Sequence, residues 1–170
     1  MIVSELLRTT LADMVSLLRR ERVSYALVGG LAVSLRGQPR VTVDVDILVV
    51  ADVERAARLV SIFEESNFQP LFANVMEVVE RAFILPVRHR STNVKVDLIL
   101  GLSGFERQTV TRAEPLDLAG STVSVATAED LIIMKVLAGR PQDEQDLQGL
   151  VMAGSSSRLG LLSGTCDAVG

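Results

Sequence analysis

At 170 residues, 48% of them hydrophobic and 22% charged, the chain is long enough to bury a sizeable core in a single domain without staples. Those proportions exclude disordered, collagen-like and low-complexity classes. The net charge of −4 lacks the broad basic footprint of a dedicated nucleic-acid binder, although a local basic groove stays open. Aromatic residues make up only 4% and tryptophan is absent, so the core must be aliphatic. A lone cysteine, Cys166, makes neither an internal disulfide nor a zinc cluster, which points to a reducing compartment.

Glu5, Arg8 and Asp13 interrupt the apolar positions of the N-terminus, so no export signal is expected there. No run approaches the ~18 apolar residues of a membrane span. The expectation is a soluble, cytoplasmic chain without a membrane partner.

Val3, Leu7, Leu11, Met14 and Leu18 recur at helical spacing and predict a first amphipathic helix. Ser24–Val28 reads as a short strand ending at Gly29-Gly30, followed by a brief helix over Leu31–Leu35 that Gly37 and Pro39 break. Val41 to Val50 is the clearest strand pattern, with Val41, Val43, Val45, Ile47 and Val49 alternating against Thr42, Asp44, Asp46 and Leu48. Asp52 is placed to cap a helix from Val53 to Glu65. A β-rich stretch is expected next, with strands at Arg81–Val87 and Asn93–Leu100 joined by the basic turn Arg88-His-Arg-Ser-Thr92.

Ser103–Arg112 reads as a helix, and Leu116–Leu118 with Thr122–Val125 as a hairpin. Thr127-Ala-Glu-Asp130 has the form of a capping box, opening a helix over Ala128–Ala138 that ends at Gly139 before Pro141. A last helix is expected over Gln142–Met152. The small polar residues of 154–170 have no apolar period and read as a flexible tail that adds little stability. The expected division is therefore a folded domain over 1–153 and a tail over 154–170. The alternation of helices and strands predicts an α/β (α+β) sheet with flanking helices.

Three features converge on chemistry. Gly29-Gly30 sits where a strand turns into a helix; without a Cβ the backbone can be approached closely, and the free N–H groups of a helix N-terminus suit a phosphate. The same pair also suits an ordinary tight turn. Asp44 and Asp46 are two apart on a strand and share a face. Two like charges so close favour a cation between them, and oxygen donors of this kind suit Mg²⁺, which takes one or two carboxylates plus substrate phosphates. The competing reading is a solvated edge strand. Asp97 interrupts Val94, Val96 and Leu98 in the same manner, so alternation predicts that Asp44, Asp46 and Asp97 meet on one open sheet face. Lys95 shares the face of Asp97, either as a charge partner or as a substrate contact. His89, the single histidine, is expected to be exposed and idle at a hairpin tip, and Cys166 is no candidate nucleophile.

Leu27-Val-Gly-Gly-Leu-Ala-Val-Ser-Leu-Arg-Gly-Gln-Pro-Arg-Val-Thr-Val-Asp-Val-Asp-Ile-Leu-Val49 resembles the core motif of the DNA polymerase β-type nucleotidyltransferase superfamily: a glycine pair, a spacer and an acidic-x-acidic strand. Arg40-x-Thr-x-Asp-x-Asp46 is similar to the AbiEii/AbiGii-type toxin branch, as is Glu129 to Asp146 with Lys135, Asp143 and Asp146. The resemblance spans about residues 24–150. It implies a nucleotidyltransferase fold with a mixed sheet of about five strands. It also implies an enzyme using Mg²⁺ and a nucleoside triphosphate. Asp44, Asp46 and Asp97 would be the catalytic and metal-binding residues, with Gly29, Gly30, Arg40, Thr42, Lys135, Asp143 and Asp146 on the nucleotide side.

The implied reaction moves a nucleoside monophosphate to a hydroxyl or phosphate acceptor on tRNA, protein or a small molecule. The toxin resemblance implies an antitoxin protein as a further partner. Members of that branch usually continue into a substantial helical C-terminal region, which is not recognisable after Asp146. Two alternatives stand beside this reading: a small-molecule enzyme of the antibiotic-modifying kind, and an inactive nucleotide- or partner-binding member. An RNA acceptor would call on Arg88, Arg90, Arg107 and Arg112, for which ordinary solvation is the simpler role. Lys135 falls beside the apolar stripe of its helix, so it must snorkel or meet an anion; the resemblance makes that anion the triphosphate.

Overall fold

The computed structural model describes residues 3–37, 41–118, 120–139 and 143–163, with the side chains of the last helix described as far as 154. Helix α1 (Glu5–Arg20) is capped by Ser4, whose hydroxyl accepts from the Leu7 N–H, and it buries Leu7, Leu11, Met14, Val15 and Leu18. Strand β1 (Tyr25–Val28) runs into α2 (Gly29–Arg36), and β2 (Val45–Val49) into α3 (Val53–Glu64), which Asp52 caps through the Arg55 N–H. Then follow β3 (Phe68–Pro70), α4 (Val75–Ala82), β4 (Ile84–His89) and β5 (Lys95–Leu100). Helix α5 (Gly104–Arg112), β6 (Glu114–Leu118), β7 (Ser121–Val125), α6 (Ala128–Ala138) and α7 (Asp143–Ser163) complete the order.

The strands form one mixed sheet in the order β3-β4-β5-β2-β1-β7-β6, seven strands rather than about five. The strand that the sequence pattern did not mark is β3, an edge element of three residues; β6, expected as half of a hairpin, is the other edge and is exposed along most of its length. The centre of the sheet is its most buried part. All four residues of β1 are buried, and β2 and β5 bury Val45, Ile47, Val49, Val96, Leu98 and Leu100 completely or nearly so. Helices α2 and α5 pack on β1 and β2, while α3 and α4 pack over β3 and β4.

Two sequence expectations are corrected here. The strand expected from Val41 starts at Val45, and Val41 and Val43 are 90% and 70% exposed rather than buried. The cause is the lack of neighbours. Strand β1 pairs with β2 antiparallel only as far as Val28 opposite Asp46, after which the chain turns into α2. On the other side β5 begins at Lys95 and pairs Val45 with Val96. An alternating pattern without a partner strand does not make a ladder. The second correction is the missed helix α4, where a β-rich stretch was expected. Val75, Met76 and Val79 are spaced for a helix, but the run of β-branched residues hides it. The helix ends at Phe83 in the left-handed region (φ 54°), so β4 begins at Ile84 rather than Arg81.

Smaller differences lie at the caps. Thr127 caps α6 through the Asp130 N–H, but the Asp130 carboxylate is taken by Arg112 at 2.6 and 3.1 Å. A reciprocal capping box forms instead at Ser103 and Glu106. Helix α7 runs on to Ser163, past the end expected at Met152. Pro141, the start expected at Gln142, and Cys166 lie outside the described residues.

His89 is the clearest reversal of a sequence expectation. It is 1% exposed. Its Nε2 lies 2.9 Å from Asp13 Oδ2 of α1, while Nδ1 accepts from the Thr92 N–H at 3.2 Å. The ring packs edge-on against Phe68, with centroids 4.9 Å apart. The β4–β5 hairpin is thereby tied to α1, and the imidazole is structural. Burial pushes the Asp13 carboxyl up, but hydrogen bonds from His89 and Asn67 and the charge of His89 outweigh it and hold the carboxyl below its ordinary range. A carboxyl lowered by folding stabilises the protein above its unfolded pKa, and that contribution disappears as the pH falls through the folded value. Asp13→Asn should therefore melt below the wild type at pH 6. The gap should shrink as the pH drops below about 4, the ordinary aspartate value, in thermal melts across that range.

Candidate active site

The site forms where β1 ends and β2 and β5 run side by side. The parallel pairing of β2 with β5 sets Asp46 directly opposite Asp97. Residues in register on neighbouring strands point to the same face, so the two carboxylates are brought together by pairing alone. Asp44 precedes β2 by one residue, at a half-exposed position, and the Thr42 hydroxyl donates to its backbone carbonyl at 3.3 Å. Arg40 lies outside the described residues.

Gly29 and Gly30 are the first two residues of α2, whose N-cap, Val28, offers no side-chain cap. Gly29 has φ +67°, and a Cβ built on it would fall 2.0 Å from Asp46 Oδ2. Glycine is thus required twice over at this position: for a left-handed backbone, and because the Asp46 carboxylate fills the space a side chain would need. The close approach inferred for a ligand is made, in the first place, by the protein's own carboxylate.

Lys95 is a charge partner. Its ammonium lies 2.6 Å from Asp97 Oδ2. Burial pushes the Lys95 pKa down, but the hydrogen bond to Asp97 and the charges of Asp97, Asp44 and Asp46 overcome that and raise it. One ammonium therefore feels all three predicted carboxylates. The second oxygen of Asp97, Oδ1, is buried without a hydrogen-bond partner among the described residues.

Opposite the sheet, α6 closes a cavity of about 390 Å³. Asp46, Asp97, Gly29 and Val28 line one side together with Ile84 and Ile99; Leu131, Met134, Lys135 and Ala138 line the other. The apolar share of this wall was not visible in the sequence as part of a site, because Ile84, Ile99, Leu131 and Met134 read as ordinary core positions. Lys135 neither snorkels nor stands free. It is 7% exposed, and its ammonium is bound by Asp143 at 2.8 Å and Asp146 at 2.6 Å. Asp143 and Asp146 are three apart in the first turn of α7. That spacing puts both on one helix face, at the end where the helix dipole favours negative charge.

Among the described residues, no group of three or more acidic, histidine or cysteine side chains is arranged to hold a metal ion by itself. Mg²⁺ does not need one, since it is bound through one or two carboxylates together with substrate phosphates. Asp46 and Asp97 in register, with a buried oxygen of Asp97 left unpaired, fit such a hard cation. The arginines considered for an RNA patch are largely committed to the fold. Arg88 bonds the Asn93 carbonyl, Arg90 the Ser66 and Phe68 carbonyls, and Arg112 the Asp130 carboxylate.

The family of nucleotidyltransferases of unknown function DUF6036 matches residues 5–157. No curated protein matches the sequence. Among solved structures, the chain is similar to an antigenic nucleotidyltransferase-like protein from Paracoccidioides brasiliensis, with TM-score 0.64 and 19% identity over 89% of this chain and 77% of that one. It is also similar to the lincosamide antibiotic adenylyltransferase LnuA in its lincomycin-bound form, with TM-score 0.58 and 14% identity over 88% of this chain and 96% of that one. A third similar structure is ANT(2″)-Ia in complex with adenylyl-2″-tobramycin, with TM-score 0.57 and 13% identity over 91% and 92% of the two chains. At these identities the likeness is one of fold.

Two variants test the geometry. Gly29→Ala should displace Asp46, with an added backbone penalty of about 1–2 kcal/mol for a left-handed alanine. Nucleotidyl transfer should fall about a hundredfold, the effect of a misplacement of about 1 Å in a reacting constellation. Lys135→Ala removes the cation from two buried carboxylates and should lower stability by about 3–5 kcal/mol, read from denaturant titration.

Proposed function

The chain belongs to the DUF6036 nucleotidyltransferases, and on that premise we propose that it transfers a nucleoside monophosphate from a Mg²⁺–nucleoside triphosphate to a hydroxyl of a small-molecule acceptor. The observation that carries the reading is the register of Asp46 against Asp97 over Gly29, at the mouth of the α6 cavity. In the reaction, the acceptor oxygen forms a bond to the α-phosphorus, the α–β phosphoanhydride bond breaks, and pyrophosphate leaves with the bonding electron pair.

Asp46 and Asp97 are the residues that would hold the cation, with Asp44 at the rim. A bound Mg²⁺ would neutralise developing phosphate charge and orient the triphosphate. The Asp97 carboxylate also takes the hydroxyl proton of the acceptor; a positioned base of this kind contributes about 10²–10⁴-fold. The first N–H groups of α2, at Gly29 and Gly30, face no side-chain cap and suit the phosphates. Thr42 precedes the acidic strand and bonds the Asp44 carbonyl; it and Arg40 are kept on the nucleotide side on the strength of the motif resemblance alone. Lys135, held by Asp143 and Asp146, acts on the nucleotide by fixing the cavity wall of α6.

A small acceptor is favoured over RNA because Arg88, Arg90 and Arg112 are occupied by the fold. Two of the similar structures act on or hold antibiotic molecules. The test is incubation with each α-labelled nucleoside triphosphate and Mg²⁺, in the presence of hydroxylated small molecules or, separately, of cell RNA and protein. Label in small molecules is expected, and Asp46→Asn and Asp97→Asn should each reduce it at least about a hundredfold. Label in RNA or protein would replace the acceptor with a toxin-like one. No transfer from any triphosphate would overturn the reading.

A further inference from the structure

The acidic strand pair carries its own cation. Lys95 lies two residues before Asp97 on β5, so strand alternation puts both side chains on the Asp46 face. Its ammonium sits 2.6 Å from Asp97 Oδ2 while only about a third exposed. The residue across the ladder from Lys95 is Arg88 on β4, whose guanidinium turns away to the Asn93 carbonyl and side chain. Lys95 is thus the cation committed to this cluster among the described side chains, and it feels Asp97 most strongly, then Asp44 and Asp46. The same carboxylates are the ones assigned above to a divalent cation.

We propose that Lys95 is a positioning residue that makes the site reject a bare divalent cation and accept one that arrives with its nucleotide. The inference rests on the function proposed above. A metal that takes Oδ2 while the ammonium is there sets two positive charges against one oxygen, which is costly unless the ammonium leaves. If the metal takes Oδ1 instead, two positive charges share one carboxylate only a few ångströms apart, and they repel strongly where water is partly excluded. Either way, the bare metal binds best to molecules in which Lys95 has withdrawn, and where these dominate binding its apparent affinity falls by their fraction. A metal–triphosphate complex carries a net negative charge. Its phosphate oxygens give the displaced ammonium a new partner, so the same lysine that opposes the bare ion favours the complex.

The decisive variant is Lys95→Met, which keeps the length and apolar stem and removes the charge. Lys95→Arg restores charge and serves as the rescue. Mn²⁺ binding is measured by electron paramagnetic resonance, alone and with a non-hydrolysable nucleoside triphosphate analogue, beside thermal melts of the metal-free proteins. Lys95→Met should bind bare Mn²⁺ about tenfold more tightly, as expected if about nine-tenths of molecules hold the ammonium on Asp97. It should bind the Mn²⁺–analogue complex no more tightly than the wild type. Without metal it should melt lower, since Asp97 has lost the ammonium paired with it, and Mn²⁺ should close that gap. Lys95→Arg should return bare-ion affinity towards the wild-type value.

Unchanged or weaker bare Mn²⁺ binding by Lys95→Met would overturn this role for Lys95 while leaving the proposed reaction standing. So would an equal gain for the bare ion and the complex. Mn²⁺ binding that survives Asp46→Asn and Asp97→Asn, or no binding by any of the proteins, would overturn the assignment of the carboxylates and this inference with it.

Discussion

The Asp46 carboxylate lies over the Cα of Gly29 at a distance that only a glycine permits, and much of the site follows from that contact. For Asp46 to reach this position, β1 must end at Val28 and the chain must swing at once through a left-handed residue into α2. That turn ends the β1 ladder, so β2 has no partner before Val45. It also aims the uncapped N-terminus of α2 at the carboxylate. The parallel neighbour β5 then brings Asp97 level with Asp46. A backbone turn, a strand end, an anion-seeking helix terminus and a pair of acids are therefore consequences of one close approach.

Two lysine–aspartate clusters frame the cavity, and they differ in what surrounds them. Lys135 with Asp143 and Asp146 is almost wholly buried. Charges taken that far out of water are held by one another, and breaking the group is costly. This cluster joins α6 to the first turn of α7 and so fixes one wall. Lys95 with Asp97 is partly open, where the ammonium can exchange its partner for another anion at modest cost. The first cluster makes the cavity rigid and the second lets its charge be rearranged. A site that must take in a highly charged substrate and still keep its shape needs both properties.

Elsewhere the polar groups serve packing. His89, with Asp13 and Thr92, ties the β4–β5 hairpin to α1. Arg36 at the end of α2 bonds the carbonyls of Val125 and Ala126 and the carboxylate of Glu114, fastening β6 and β7 to the centre of the sheet. These contacts satisfy main-chain and side-chain groups that would otherwise be costly to bury. Arg88, Arg90 and Arg112, considered for a nucleic-acid surface, are likewise bonded to carbonyls and a carboxylate of the fold. Among the described residues no helix is long and apolar enough to cross a membrane.

Local order was legible in the chain itself. Glycine at positions 29 and 30, acids two apart at 44 and 46, and an acid breaking an apolar strand at 97 are signals carried by single residues against a regular period. Helix α1, β1, β5 and α6 follow from spacing that any neighbour would respect. The sequence alone also placed Lys135 at the edge of a buried stripe, where it had to snorkel or meet an anion. What it did not reveal depends on partners distant along the chain. Val41 and Val43 alternate as well as Val45 and Ile47 do, yet only the last two have strands beside them. His89 looked exposed at a hairpin tip until α1 supplied Asp13, 76 residues away. The anion that Lys135 meets is set by how α7 folds back on α6, and Asp46 is set level with the Lys95–Asp97 pair only by the pairing of β2 with β5. Periodicity records which face a side chain takes; only tertiary packing decides what that face is turned towards, because burial and charge pairing are properties of two segments at once.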